Sequence, residues 1–341
     1  MGRVLRKGFK MLKKVLFVLA ILLSAAGGCY AGKMASSLDL MNRDTGKTIS
    51  DVDLGDIQVT SDTDIINILL IGSDTRAELG SEQWGRSDTV MIATMDNKHK
   101  MLKLTSLMRD MEVEIPGYGI QKFNSAYAYG GPELLYKTIA TNFGVSLDGY
   151  ATVDFEAFKD IVNEVGGVDI ELGETEANYL NTTNYIRKKK YRNVSPGWNT
   201  LNGDQALGYC RVRKVPNVKG TNNDQGRTER QRMVMAAIFD KVKTMPMSKW
   251  MKILDVVLPN ITTDVSNSQI VGYATNVVTM GTTEITPYRL PVEGYYDGRS
   301  LHGNGSVLNL NMEANKNFLQ TFIYDYDGKS DLPGATTEVA N

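Results

Sequence analysis

Two aspartates and a set of arginines are the residues of this 341-residue chain best equipped for chemistry. Gly72-Ser73-Asp74-Thr75-Arg76 directly follows the apolar run IINILLI at 65–71, and Arg86-Ser87-Asp88-Thr89 leads into a second such run. Arg109-Asp110 follows a third. In extended chain Arg86 and Asp88 point to the same side. A polar loop held by a buried strand is a common setting for a site, although a single aspartate there reads more simply as a turn cap. Farther along, Arg211 and Arg213 flank Val212, and Asp224, Arg227, Arg230 and Gln231 open a long amphipathic segment. Arg227 and Gln231, four apart, share a helical face. Arginine forks grip phosphate oxygens with paired hydrogen bonds, and a helix start adds free N–H groups and a positive dipole end. The plain alternative is surface salt bridging with Asp224 and Glu229. It weighs as much as phosphate binding for Arg230 and Arg232, and less for Arg211, Arg213 and Arg227.

Together these groups describe a pyrophosphate clamp beside a divalent-cation site. Asp74 and Asp88 are the natural metal pair. Mg2+, with Mn2+ as a substitute, takes hard oxygen ligands, and magnesium accepts one or two carboxylates and completes its shell with water and phosphate. Phosphoryl transfer depends on positioning and charge neutralisation, which arginines and a metal supply. One carboxylate can also accept the proton of an attacking hydroxyl.

The elements that must position these groups alternate in type. The pattern predicts strands at 65–71, 89–95 and 101–107, with a turn at Asn97-Lys98. A helix over 132–143 starts at Pro132 and ends at Gly144. An extended piece at 150–153 leads through Asp154, as cap, into a helix reaching Val165. Gly166-Gly167 stops it, and 168–172 is a strand. The polar stretch 174–190 is helical in part. A short helix at 202–207 is expected to pass into an extended run at 209–215, which would put Arg211 and Arg213 on one side. Helices follow at 228–242, 268–279 and 312–324, with a strand at 284–290. Such alternation implies an α/β layered domain. The site draws on both halves of it and should form only when the whole domain folds. Apolar positions in 155–165 and 233–239 suit either a lipid cavity or ordinary helix-to-sheet core.

Composition narrows the classes. With 38 basic and 39 acidic residues, bulk nucleic-acid binding is not expected. The cysteines, Cys29 and Cys210, do not suggest a structural disulfide. His99 and His302 are too few to favour histidine-rich zinc or most Ser-His-Asp chemistry. Basic residues at 3–14 precede an apolar run at 15–31. The expected order is a cytoplasmic basic segment (1–14), a single membrane anchor (15–31), an extracellular tether (32–63), a catalytic domain (64–327) and a loose tail (328–341). A cleaved signal peptide or lipidation at Cys29 are the alternatives, and all three export the body of the protein.

The stretches NILLIGSDTR (67–76), RSDTVMIATM (86–95), LTSLMRDMEVEIPG (104–117), QKFNSAYAYGGPELLYKTI (121–139), GWNTLNGDQALGYCRVRK (197–214) and DQGRTERQR (224–232) resemble the LytR-CpsA-Psr family of bacterial cell-wall ligases. The resemblance spans most of 65–325. It implies a three-layer α-β-α sandwich around a twisted mixed sheet, after one transmembrane helix. It also implies transfer of an undecaprenyl-pyrophosphate-linked glycopolymer, such as teichoic acid or capsular polysaccharide, to a sugar hydroxyl of peptidoglycan through a phosphodiester. On this likeness Asp74 and Asp88 hold magnesium, and Arg86, Arg109, Arg211, Arg213, Arg227, Arg230 and Gln231 bind or polarise phosphates. Lys122 and Asn124 match a KxN element near the mouth of a lipid pocket, and Asp110 supports Arg109. Leu107-Met108 departs from the family's frequent Ile-Pro, which implies a local change without loss of activity. The family's extra N-terminal domain is not expected, the tether being too short for one.

Two other functions fit the same residues. A lipid or nucleotide pyrophosphate hydrolase would use the clamp with water as nucleophile. A non-catalytic wall-glycan binder or regulator would use it for recognition alone, although a DNA-binding regulator needs a cytoplasmic domain larger than the 14 residues before the apolar run.

Overall fold

The computed structural model describes residues 37–43, 48–73, 87–245, 256, 258–282, 285–301 and 305–335. The expected anchor at 15–31 lies outside these residues. Among the described helices none is long and apolar enough to cross a membrane. The chain forms two compact units, one from 42–153 with 262–341 and one from 154–261 with 36–41.

The first unit holds a seven-stranded mixed sheet. Its strands are β1 (Asn42–Arg43), β2 (Ile65–Ser73), β3 (Ser87–Asp96), β4 (Met101–Leu107), β7 (Gly149–Asp154), β10 (Ile261–Thr263) and β11 (Ile285–Leu290). The spatial order is β1-β10-β7-β2-β3-β4-β11. β2, β3 and β4 pair antiparallel, while β11 lies parallel to β4. Ile65, Leu69 and Ile71 of β2 are buried in one core, and such burial stabilises by about 1.5–3 kcal/mol per side chain. Asn67 sits among them without penalty: it accepts from Thr94 Oγ1 (2.7 Å) and donates to Ser146 O (3.1 Å). On β3, Val90, Met91 and Ile92 are buried in succession, so both faces of the sheet are covered.

Two hairpins also belong to this unit, β5 (Glu112–Ile115) with β6 (Gly119–Lys122), and β12 (Tyr296–Leu301) with β13 (Gly305–Leu310). The expected helix 132–143 is the second half of α1 (Phe123–Phe143), which breaks at Gly130 and Gly131. Gly144 ends it in left-handed conformation, φ 63°. α6 (Asn267–Met280) and α7 (Met312–Gln320) complete the unit, with a π-helical turn at Thr321–Asp325.

The second unit contains α2 (Phe155–Glu164), β8 (Val168–Leu172), α3 (Glu174–Thr182), β9 (Gly197–Leu201), α4 (Gly203–Arg211) and α5 (Asn223–Thr244). Asp154 caps α2 by accepting from Ala157 N at 2.8 Å. β8 and β9 form an antiparallel ribbon. Val162, Val165 and Val234, with Phe158, Ile161, Met233, Ala237 and Ile238 packed against them, belong to this unit's core. Those positions therefore take part in the packing of this unit's core.

Candidate phosphate-binding site

Strand pairing brings the ends of β2, β3 and β4 to one edge of the sheet. Ser73 lies opposite Ser87, and Val90 opposite Leu107. Asp88 is the second residue of β3, and Asp74 is the next residue in sequence after Ser73. The pairing places the backbone of Ser73 beside that of Ser87. Asp74, Arg86 and the side chain of Asp88 lie outside the described residues. Among the described residues no group of three or more histidine, cysteine or acidic side chains is placed to hold a metal.

Arg109 and Asp110 follow β4 directly, and their backbone is held from three sides. Asn124 N–H donates to Arg109 O (3.1 Å), Leu308 N–H to Asp110 O (2.9 Å) and Phe123 N–H to Met111 O (2.8 Å). Arg109 Nε lies 3.5 Å from Asp110 Oδ2, and Lys122 Nζ lies 3.2 Å from Asp110 Oδ1. One carboxylate thus fixes two cations while leaving the cluster net positive. These side chains are largely buried, so the shared carboxylate holds both cations in fixed positions. Asn124 is buried at the start of α1.

The second unit repeats the scheme. Asp224 meets Arg227 Nη2 at 2.9 Å and Arg213 Nε at 3.6 Å. Arg227 is buried, Arg213 half-exposed and Gln231 half-buried. The salt bridge to Asp224 is therefore real for both arginines, and again two cations share one carboxylate.

Two sequence expectations need correction. Residues 209–215 are not one extended run. α4 continues to Arg211, and Val212 caps it, so Arg211 and Arg213 do not alternate along a strand. The cause is a capping box: Asn202 accepts from Gln205 N (3.0 Å) and Gln205 Oε1 accepts from Asn202 N (2.9 Å). Gly208 disguised the helix. It is there for packing, since a Cβ at this position would come within 2.9 Å of the Ile186 side chain. Arg211 is exposed, its guanidinium 5.4 Å from the Phe155 ring centroid.

Arg230 is the second correction. It is completely buried, and its fork is already used. Nε donates to Glu176 (2.7 Å), Nη1 to Val212 O (3.2 Å) and Nη2 to Val215 O (2.8 Å). It ties α5 to α3 and to the segment after α4, and has no donor facing an external phosphate. Its ion partner is Glu176, not Asp224 or Glu229. Sequence reading also passed over the Glu112–Arg299 pair, in which the buried Glu112 takes two hydrogen bonds from Arg299. Nothing local marks either pair, because the partners lie 54 and 187 positions apart.

A model of the LytR_cpsA_psr family matches residues 31–321. The chain is a member of the LytR-CpsA-Psr family. The family member MsrR of Staphylococcus aureus (strain COL), named a regulatory protein, is 31% identical over 261 residues, which is 76% of this chain and 74% of MsrR. TagT of Bacillus subtilis (strain 168), a polyisoprenyl-teichoic acid–peptidoglycan teichoic acid transferase, is 31% identical over 307 residues, 85% of this chain and 90% of TagT. A solved structure of TagT with bound octaprenyl pyrophosphate superposes with a TM-score of 0.56 at 25% identity, covering 83% of this chain and 99% of that one. This LytR-CpsA-Psr protein therefore shares the mixed α/β architecture with its central mixed sheet. Its Met108 supplies an N–H that donates to Leu290 O at 2.9 Å, a bond next to the β4–β11 ladder that a proline could not make.

Proposed function

We propose that this protein transfers a glycopolymer from an undecaprenyl-pyrophosphate carrier to a sugar hydroxyl of peptidoglycan, forming a phosphodiester. The observation that carries the reading is the Arg109–Asp110–Lys122 cluster at the strand edge where the Asp88 position also lies, in a chain similar to TagT over most of its length. The acceptor oxygen forms a bond to the phosphorus nearer the glycan. The bond from that phosphorus to the bridging oxygen breaks, and polyprenyl phosphate leaves. The hydroxyl proton passes to a carboxylate at the strand edge. Arg86 and Arg109, with Lys122 and Asn124, bind the pyrophosphate, and the likeness to the family assigns phosphate binding to Arg211, Arg213, Arg227 and Gln231 as well. Asp74 and Asp88 would hold a magnesium ion (manganese as substitute), which neutralises phosphate charge when bound. An uncleaved anchor at 15–31 keeps the domain outside the cell membrane and near a lipid-borne donor.

The test uses the full chain in detergent, a lipid-pyrophosphate-linked saccharide, and peptidoglycan oligomers as acceptor. Mass spectrometry of the acceptor should show the phosphodiester, and polyprenyl phosphate should appear only when acceptor is present. Equal cleavage without acceptor would make the protein a pyrophosphate hydrolase. Donor binding with no cleavage in either case would make it a non-catalytic binding or regulatory protein; MsrR is named a regulatory protein.

A further inference from the structure

Beside the cationic cluster the first unit displays an aromatic platform that its core does not require. Tyr118 is 51% exposed and Tyr129 44%, and their rings stack with centroids 4.6 Å apart and planes 23° apart. Ile120 is 58% exposed. The backbone is shaped to present these side chains. Gly117 (φ 81°) and Gly119 (φ 70°) bracket Tyr118 in left-handed conformations, and Tyr118 N–H closes the turn on Ile115 O at 2.9 Å. The hairpin is also fastened to α1. Asn142 accepts from Glu114 N (3.0 Å) and donates to Glu114 O (2.7 Å). Tyr129 ends the first half of α1, just before the break at Gly130. Lys122, which contacts Asp110, is the last residue of the same hairpin and leads directly into α1.

We infer that Tyr118, Ile120 and Tyr129 form a subsite for a neutral pyranose chain, the glycan strand of the acceptor; this deepens the transfer reading above and rests on it. The apolar CH face of an N-acetylhexosamine in a β-1,4-linked chain matches the outer ring face that the stacked, half-exposed pair leaves open, while phenol hydroxyls reach sugar hydroxyls and amides. Charge argues against an anionic occupant. Glu114 is exposed and directly opposite Ile120 in the hairpin, while Glu133, four residues past Tyr129 and beyond the helix break, is neutralised by Lys137 at 3.1 Å. Lys122 already faces Asp110. An anionic membrane or a polyphosphate chain would meet the Glu114 carboxylate here and no unpaired cation among the residues named, whereas an uncharged sugar face meets no such repulsion. The continuity from platform to Lys122 and Arg109 leads a bound strand toward the reacting phosphate.

The experiment places the full chain in phosphatidylcholine nanodiscs and uses chitotetraose as a neutral probe, without donor. Chitotetraose should slow hydrogen exchange in peptides covering 112–129. Tyr118→Ala and Tyr129→Ala should each weaken its binding about tenfold, as loss of a stacking ring does elsewhere. Tyr118→Phe and Tyr129→Phe, which keep the rings, should bind within about threefold of the parent. With peptidoglycan oligomers and lipid-linked donor, the alanine variants should raise the acceptor KM and leave the donor KM unchanged. Chitotetraose binding unaffected in both alanine variants, or no binding to the parent, overturns the subsite. So does protection of 112–129 that follows replacement of phosphatidylcholine by phosphatidylglycerol, which would make the platform a membrane face. Absence of transfer by the parent refutes the enzymatic reading alone, because probe binding is measured without turnover.

Discussion

Replacing Arg230 by methionine separates a phosphate ligand from a structural brace. Arg230 is fully buried and makes an ion pair with Glu176, itself 1% exposed. Methionine fills much of the stem's volume but leaves the Glu176 carboxylate buried without its cation. Breaking one side of such a pair costs about 3–5 kcal/mol. The carbonyls of Val212 and Val215 lose their donors as well, at roughly 1 kcal/mol each. These contributions overlap, so a total of about 4–5 kcal/mol is expected. That is a large part of the stability of an ordinary domain. Hydrogen exchange read on peptides from α3, α4 and α5 should report it, with protection lost across all three. The double variant Glu176→Gln with Arg230→Met should recover at least about 2 kcal/mol relative to the sum of the single changes. If Arg230→Met instead left exchange within about 1 kcal/mol of the parent and raised the donor KM, Arg230 would be a phosphate ligand and the brace would be refuted.

Other changes have separate readouts. Arg109→Ala should lower transfer by about a hundredfold or more at unchanged circular dichroism, as removal of a charge-stabilising donor does, and Lys122→Ala less, since Lys122 acts partly through Asp110. Burial pushes the Asp96 carboxyl up, but hydrogen bonds from Lys103 and His99 outweigh it and hold the group below its ordinary value. Its stabilising contribution is then present above the unfolded carboxylate range and lost as pH falls through the folded value. Urea unfolding between pH 6 and pH 3 should therefore steepen with acid in the parent and flatten in Asp96→Asn. Burial also pushes the Cys210 thiol up to about 12, so in a Cys29→Ser background a thiol reagent at pH 8 should label the protein only after denaturation.

How much of this was legible depends on the range of the interactions. The run 65–71 announced a buried strand because its apolar residues sit against each other locally, and β2 contains it. The turn at Asn97-Lys98 likewise lies between β3 and β4, where the chain reverses. The hairpin β5–β6 escaped notice, because Glu112 and Glu114 alternate with Val113 and Ile115 over only four residues. The first half of α1 was missed because Gly130 and Gly131 interrupt the helix and made Pro132 look like its start.

Arginines give the sharpest case of what a sequence leaves open. Arg211, Arg213, Arg227 and Arg230 look alike as letters, and helical spacing separates only some of them. The fold distinguishes all four: one stacks exposed over Phe155, two flank Asp224, and one is consumed by Glu176 and two carbonyls. Arg227 and Arg230 differ by three positions in one helix, yet the first pairs locally with Asp224 while the second needs a carboxylate 54 positions earlier. A cation three residues from an aspartate on a helix can be paired by inspection. A cation whose partner lies on another helix can be assigned only after both helices are packed. Burial then decides between support and chemistry, since a guanidinium with no surface open to solvent cannot reach a substrate, whatever donors it retains.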